Sequence, residues 1–210
     1  MIKKNLKTLI ITSIVILLPI LAGVILWNQL PDPMPSHWNA SGEIDGWSSK
    51  PFAVFGLPFI LLAAQWLCVL GTSADPKKNN HPTKIVHLVL WIIPVLSVLL
   101  NVLTYMAAMG RQVQMEVIMP VFIGLLLAIV GNYLPKCKQN YTIGIKIPWT
   151  LNNEENWNKT HRFAGWLWTV CGIIIMLTGF FGGFWIFFII VLLMVLAPIA
   201  YSYILHRKGL

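Results

Sequence analysis

Charge is in short supply in this 210-residue chain. Only 10% of its residues are charged, and seven Asp and Glu face 15 Lys and Arg, too little polar surface for an ordinary soluble domain. Cysteine is nearly missing as well. Cys68, Cys137 and Cys171 are odd in number and widely spaced, which excludes a disulfide framework and a Cys-x-x-Cys metal site; they read as reduced thiols. Ionisable groups are almost absent from the long apolar runs, where a transport or proton path places them, and no internal repeat is visible. The main polar groups there are Gln65, Asn101, Thr104 and Tyr105, with His87 near an end, and they read as hydrogen bonds between helices. Neither G-x-S-x-G nor H-E-x-x-H occurs. The outer loop's one His and scattered carboxylates lack metal-ligand spacing.

What is present is apolar: 57% of residues are hydrophobic, and mean hydropathy is +0.74. Runs near the ~20 residues that a bilayer requires fall at roughly 8 to 30, 52 to 72, 85 to 109, 115 to 134, 163 to 180 and 184 to 205. The fold class expected is an all-α integral membrane protein, a six-helix bundle. The first run continues through Leu26, Trp27 and Leu30 with no small-x-small site after it, so it reads as a retained helix.

Placing the N-terminus inside leaves only Lys50 and Arg111 of the Lys and Arg residues outside, the asymmetry that retention of positive loops produces. Both termini are therefore expected in the cytoplasm. The net charge of +8 and pI near 9.6 fit retention and anionic inner-leaflet lipid. No contiguous basic domain is present, and no direct nucleic-acid binding is expected. Two regions follow: residues 1–72, a helical hairpin with an outer Pro/Trp-rich loop at 31–51, and residues 73–210, four spans containing an inner loop at 135–162.

The outer loop, WNQLPDPMPSHWNASGEIDGWSSKPF over 27 to 52, cannot be helical through Pro31, Pro33 and Pro35, and an edge-strand or turn-rich cap is expected. Asn39 to Gly42 and Glu43 to Gly46 read as turns. Trp27, Trp38 and Trp47 suit the headgroup layer, while His37 beside Trp38, with Asp32, Glu43 and Asp45, suggests a recognition surface for a cationic or amphipathic ligand. In the inner insert, Asn140 to Ile145 reads as a short strand or turn broken at Gly144, and Pro148 ends it. A helix capped by Asn152, with Glu155 completing the capping box, is expected to lie on the inner surface and turn into the fifth span near Phe163 to Trp168. Glu155 and Lys159 stand one turn apart, as do Trp157 and His161. Pro19, Pro58, Pro94, Pro120 and Pro198 are expected to kink spans, and Gly179, Gly182 and Gly183 to make the last turn.

Interfacial anchoring leaves a close-set pair of motifs unexplained. Gly131, Asn132 and Pro135, then Asn140, Gly144, Ile145, Lys146 and Pro148 to Leu151, then Trp157 with Thr160 to Arg162 resemble the signature of the SdpI family of bacterial membrane proteins. The outer loop, through Leu30, Pro31, Met34, Pro35, His37 to Asn39, Gly42 and Asp45, resembles the domain of unknown function that often precedes that signature. The resemblance implies an immunity protein that protects a Gram-positive cell from its own secreted membrane-active peptide toxin. It also implies a signal transducer that holds a cytoplasmic transcriptional repressor at the membrane. Lys146 stands where the family commonly has Arg, so charge is kept while bidentate anion recognition is weakened.

On that basis the toxin-facing residues are Pro35, His37, Trp38, Asn39, Gly42, Asp45 and Trp47. The cytoplasmic partner surface is Asn140, Gly144, Lys146, Pro148, Trp149, Thr150, Trp157, Thr160, His161 and Arg162. No catalytic residue, metal or cofactor is expected, and the partners are the bilayer, a secreted peptide toxin and a cytoplasmic repressor. The competing readings are a small-solute or peptide transporter and a membrane enzyme using His161 with Glu154 or Glu155.

Overall fold

The computed structural model describes residues 2–181 and 184–210. Among them are six helices long and apolar enough to cross a membrane. Lipid offers the main chain no hydrogen bonds, so an apolar run crossing it must satisfy its own N–H and C=O groups, and a helix does this within one segment. The surfaces of these helices are correspondingly apolar: Ile25, Leu67 and Phe181 are 79%, 69% and 83% exposed, tolerable only against lipid tails.

The chain divides into two compact units. One comprises Met1–Ser73 with Val86–Met115, the other Ala74–Ile85 with Glu116–Leu210. The first contains α1 (Ile2–Ile25), a hairpin of β1 (Met34–Trp38) and β2 (Ile44–Ser48), α2 (Leu57–Ser73), which follows a π-helical turn at Phe52–Gly56, and most of α3 (Thr83–Ala108). Leu9, Val69, Val86 and Leu90 pack at one end, and Leu30, Met34, Ala53, Val54 and Tyr105 at the other. Polar ties join the helices between these layers. Gln65 Nε2 donates to Thr12 Oγ1 at 2.7 Å, Ser97 Oγ to the Ile16 carbonyl at 2.9 Å and Tyr105 OH to the Pro19 carbonyl at 3.2 Å. Pro19 sits inside α1 and cannot donate to the helix ladder; the two α1 carbonyls that accept from α3 are its own and that of Ile16, one turn before it. Asn101, in contrast, bonds within its own helix, to the Ser97 carbonyl.

The hairpin closes through Asn39, whose Oδ1 accepts from the N–H of Ser41 and Glu43 while Gly42 takes φ 79°. The pairing is antiparallel and shifts register around His37. Ile44–Ser48 is a strand, not the second turn expected at Glu43 to Gly46. Gly46 is required there by closeness, since a Cβ would stand 2.6 Å from His37 Cβ.

The second unit contains α4 (Met115–Tyr133) from Glu116 onward, α5 (Pro148–Asn152), α6 (Glu154–Phe181) and α7 (Phe184–Arg207). α4 and α6 meet through glycine. A Cβ on Gly172 would lie 2.6 Å from Gly124 O, and one on Gly131 would lie 2.6 Å from Thr169 N. α7 joins α6 through Leu167, Cys171, Ile175, Ile190 and Met194, with Trp168 Nε1 donating to the Met194 carbonyl at 2.9 Å.

The first span starts at Ile2 and stops at Ile25, earlier than the 8 to 30 read from hydropathy. No surface helix turns into a fifth span, because Glu154–Phe181 is one continuous helix of 28 residues. At ~1.5 Å per residue it is about 42 Å long, against a hydrocarbon layer of about 30 Å, so its polar beginning extends beyond the apolar layer. Its cap is Asn153, whose Oδ1 accepts the Asn156 N–H at 2.9 Å; Asn152 belongs to α5 and Glu155 completes no box. Of the short strand or turn expected over 140–145, the strand is not formed, and residues 141–144 are bends. Gly179 lies inside α6 against the Val117 carbonyl, so it serves helix contact; Gly182 and Gly183 lie outside the described residues.

Candidate functional site

The densest polar interior of the chain is the segment after α4. Asn140 is buried, and its amide organises the bend: Oδ1 accepts from the Thr142 and Ile143 N–H groups, and Nδ2 donates to the Lys138 and Ile143 carbonyls. This local satisfaction lets an irregular backbone be buried at all. The chain then passes through Gly144 at φ +119°, where a Cβ would run into His161 Nε2 and stand 3.1 Å from the Trp157 ring.

His161 explains the close approach. Its Nε2 accepts the Ile145 N–H at 2.9 Å, and its Nδ1 faces the Trp157 carbonyl at 2.9 Å. One partner is a donor and the other an acceptor, so the ring is neutral with its proton on Nδ1. Trp157, 0% exposed, stacks on that ring at 4.0 Å between centroids and donates its indole N–H to the Cys137 carbonyl at 2.7 Å. Burial pushes the Cys137 thiol up to about 11, so it stays protonated and inert.

Thr150 Oγ1 accepts the Ile147 N–H and faces the Ile145 carbonyl at 2.8 Å, starting α5. Gln139 Nε2 donates to the Thr150 and Leu151 carbonyls at the other end of that turn. Trp149 lies on α7, with its ring 5.1 Å from Tyr203 and stacked at 6.0 Å on His206. Thr160 belongs to a separate buried cluster in which Asn156 Oδ1 accepts from Thr160 Oγ1 and Ser202 Oγ.

A second loop locks this segment. Asp75, 3% exposed, accepts from the Lys77 N–H at 2.7 Å, the Tyr141 N–H at 2.9 Å and Thr142 Oγ1 at 2.8 Å, with His81 Nε2 at 3.3 Å. Burial pushes the carboxyl up, but the bonds from Thr142, Lys77, Tyr141 and His81 together outweigh it and hold the group below its ordinary value of 3.8. Lys77 Nζ meets Gln139 Oε1 at 2.5 Å, and Asn80 Nδ2 donates to the Gln139 carbonyl at 2.8 Å.

Two family models match the chain: the SdpI/YfhL protein family over residues 136–202, and a domain of unknown function, DUF1648, over residues 14–62. The chain is also 31% identical over 195 residues to Immunity protein SdpI of Bacillus subtilis (strain 168), covering 93% of this chain and 90% of that protein. The chain belongs to the SdpI/YfhL family. No solved structure matches it. In this SdpI/YfhL protein, a multi-pass protein of the cell membrane, the first match takes in the bonded segment, α5, α6 and most of α7, and the second takes in the hairpin.

The structure brings Asn140, Gly144, Thr150, Trp157 and His161 together in one interior. Thr160 sits apart from it with Asn156 and Ser202, and Trp149 covers the end of α7. Lys146, Pro148 and Arg162 are exposed, with Lys146 Nζ donating to the Thr142 carbonyl. In the hairpin, Pro35 is buried opposite Trp47, which is exposed; Trp38 is half-buried opposite Ile44; Asn39 and Gly42 make the turn; His37 pairs with Asp45. Sequence reasoning missed Asp75, His81, Gln139 and Asn156. One signal for Asp75 was available, since it is the only acidic residue between Asp45 and Glu116, and a lone carboxylate in a basic loop asks for a structural reason.

Proposed function

We propose that this protein protects its cell from a secreted, membrane-active peptide toxin, and that it also signals by recruiting a cytoplasmic transcriptional repressor. In this reading both termini and the segment 135–162 face the cytoplasm, the hairpin faces outward, and no reaction is catalysed. The single observation that carries it is the 31% identity to an immunity protein across 93% of the chain, hairpin and bonded segment included. The arrangement around His161 supports a binding role, because both ring nitrogens are occupied by main-chain groups and neither is free to take a proton from a substrate. A segment so held presents Lys146, Pro148 and Arg162 as an exposed surface toward the cytoplasm.

The test is survival of a sensitive Gram-positive strain expressing the chain, challenged with a panel of secreted antimicrobial peptides while a fluorescent candidate repressor reports recruitment. Wild type is expected to protect and to recruit. His161→Ala and Trp149→Ala are expected to abolish recruitment at normal protein levels, and His37→Ala and Trp38→Ala to weaken protection. An expressed, membrane-inserted wild type that neither protects nor recruits defeats the reading.

A further inference from the structure

The hairpin region gathers three of the seven carboxylates of this basic chain. Between Pro31 and Lys50 stand Asp32, Glu43 and Asp45 against a single Lys. That cation is turned inward: Lys50 Nζ donates to the carbonyls of Trp27 at 3.2 Å and Leu30 at 2.8 Å, where α1 has just ended, and lies over the Trp27 ring. The carboxylates stay outward. Each uses one oxygen within the hairpin, Asp32 for the Lys50 N–H, Glu43 for Asn39 Nδ2 and Asp45 for His37, and the other oxygen of each has no partner among the described residues. In the same hairpin Trp47 is 56% and Ile44 36% exposed, two large apolar side chains on the strand that also carries Asp45. The sheet has only two strands, so the outer edge of each carries main-chain groups unpaired with any strand.

From these features we propose that the 34–48 hairpin is the docking surface for a cationic, amphipathic peptide. The peptide's Lys or Arg side chains meet the free oxygens of Asp32, Glu43 and Asp45, its apolar side chains cover Trp47 and Ile44, and its backbone adds along an open strand edge. The inference rests on the immunity reading for the source of such a peptide, and it goes further by fixing the peptide's charge and the side chains that select it. Charge complementarity chooses this occupant: an acidic or zwitterionic partner gains nothing from three unpaired carboxylate oxygens, whereas a cationic one is steered to them.

The full chain in phosphatidylcholine nanodiscs, whose zwitterionic surface does not itself collect cations, is titrated with a synthetic Lys/Leu amphipathic peptide and with its Glu/Leu counterpart. Wild type is expected to prefer the Lys/Leu peptide, more weakly as salt rises. The combined Asp32→Asn, Glu43→Gln and Asp45→Asn variant is expected to bind about tenfold more weakly, the sum of three exposed charge pairs. Each amide keeps an oxygen able to accept the bond its carboxylate accepts now, so the hairpin itself is preserved. Trp47→Ala weakens binding with no change of charge. Equal affinity for the two peptides, or unchanged affinity in the triple variant, overturns the proposal. So does quenching by brominated lipid of the fluorescence that Trp47→Phe removes, if the peptide leaves it undiminished, because the face is then a membrane anchor. Cell survival separates the two claims. Wild-type protection with charge-independent binding sinks the docking surface alone, and charge-dependent binding without protection sinks the immunity reading alone.

Discussion

Gly144 adopts φ +119° with His161 and Trp157 directly over it, a conformation that costs a non-glycine residue roughly 1–2 kcal/mol before any clash. Gly144→Ala also drives a methyl into the imidazole that clamps Ile145. A loss of about 3 kcal/mol is expected, measured as faster hydrogen exchange of residues 139–152 with the six helices intact. Asp75 gives the same segment a pH dependence of definite sign. Its carboxyl is held below 3.8 in the fold, so its contribution is fully present above about pH 4 and is lost as pH falls through the lowered folded value. Exchange at Tyr141 and Thr142 is therefore expected to be flat from pH 7 to about 4, after correction for intrinsic rates, and to accelerate only below that. Asp75→Ala, which leaves the Lys77 and Tyr141 N–H groups, Thr142 Oγ1 and His81 without the carboxylate they bond, should abolish the step and cost about 3 kcal/mol at neutral pH. At this scale the sequence was partly legible. Gly144 and His161 were visible as motif residues, but nothing in their spacing showed that the imidazole would accept a main-chain N–H.

Among elements, the pair α4 and α6 is the most sharply determined by residue size. Gly124, Gly131, Gly165 and Gly172 stand where a Cβ would meet backbone or proline atoms at 2.5 to 2.9 Å, and apolar association in lipid depends on such close packing. Gly172→Leu forces the two helices apart and is expected to cost about 2–3 kcal/mol, seen as a lower melting temperature of the detergent-solubilised protein; Gly71→Leu, at a glycine with open space around it, should be silent. The helices themselves were readable from apolar length, and their ends were not. Asn152 and Asn153 are both competent caps by residue type, and Asn153 takes the role because Pro148–Asn152 forms a separate turn held by Thr150 and Gln139. A distant residue, Gln139, thus helps decide a local boundary. Likewise the surface helix and fifth span are one because Asn156 and Trp157, polar or interfacial by type, find buried partners in Ser202 and Cys137.

For the whole molecule, the distribution of Lys and Arg makes a topological prediction. In intact cells Ser41→Cys, in the exposed hairpin turn, is expected to react with a membrane-impermeant maleimide, while Asn158→Cys, exposed near the start of α6, is expected to react only after permeabilisation. The reverse pattern would refute the cytoplasmic placement of the termini. That the chain crosses the bilayer with six apolar helices was determined by composition and run length alone, since the cost of burying unpaired backbone in lipid leaves a helix as the only solution for an apolar run of that length. Which residues form the interior of the bonded segment was decided only by tertiary structure. Asp75 and Tyr141 are 66 residues apart, and Asn156 and Ser202 are 46 apart. Such pairings depend on where folded helices bring their loops, and no local propensity encodes that.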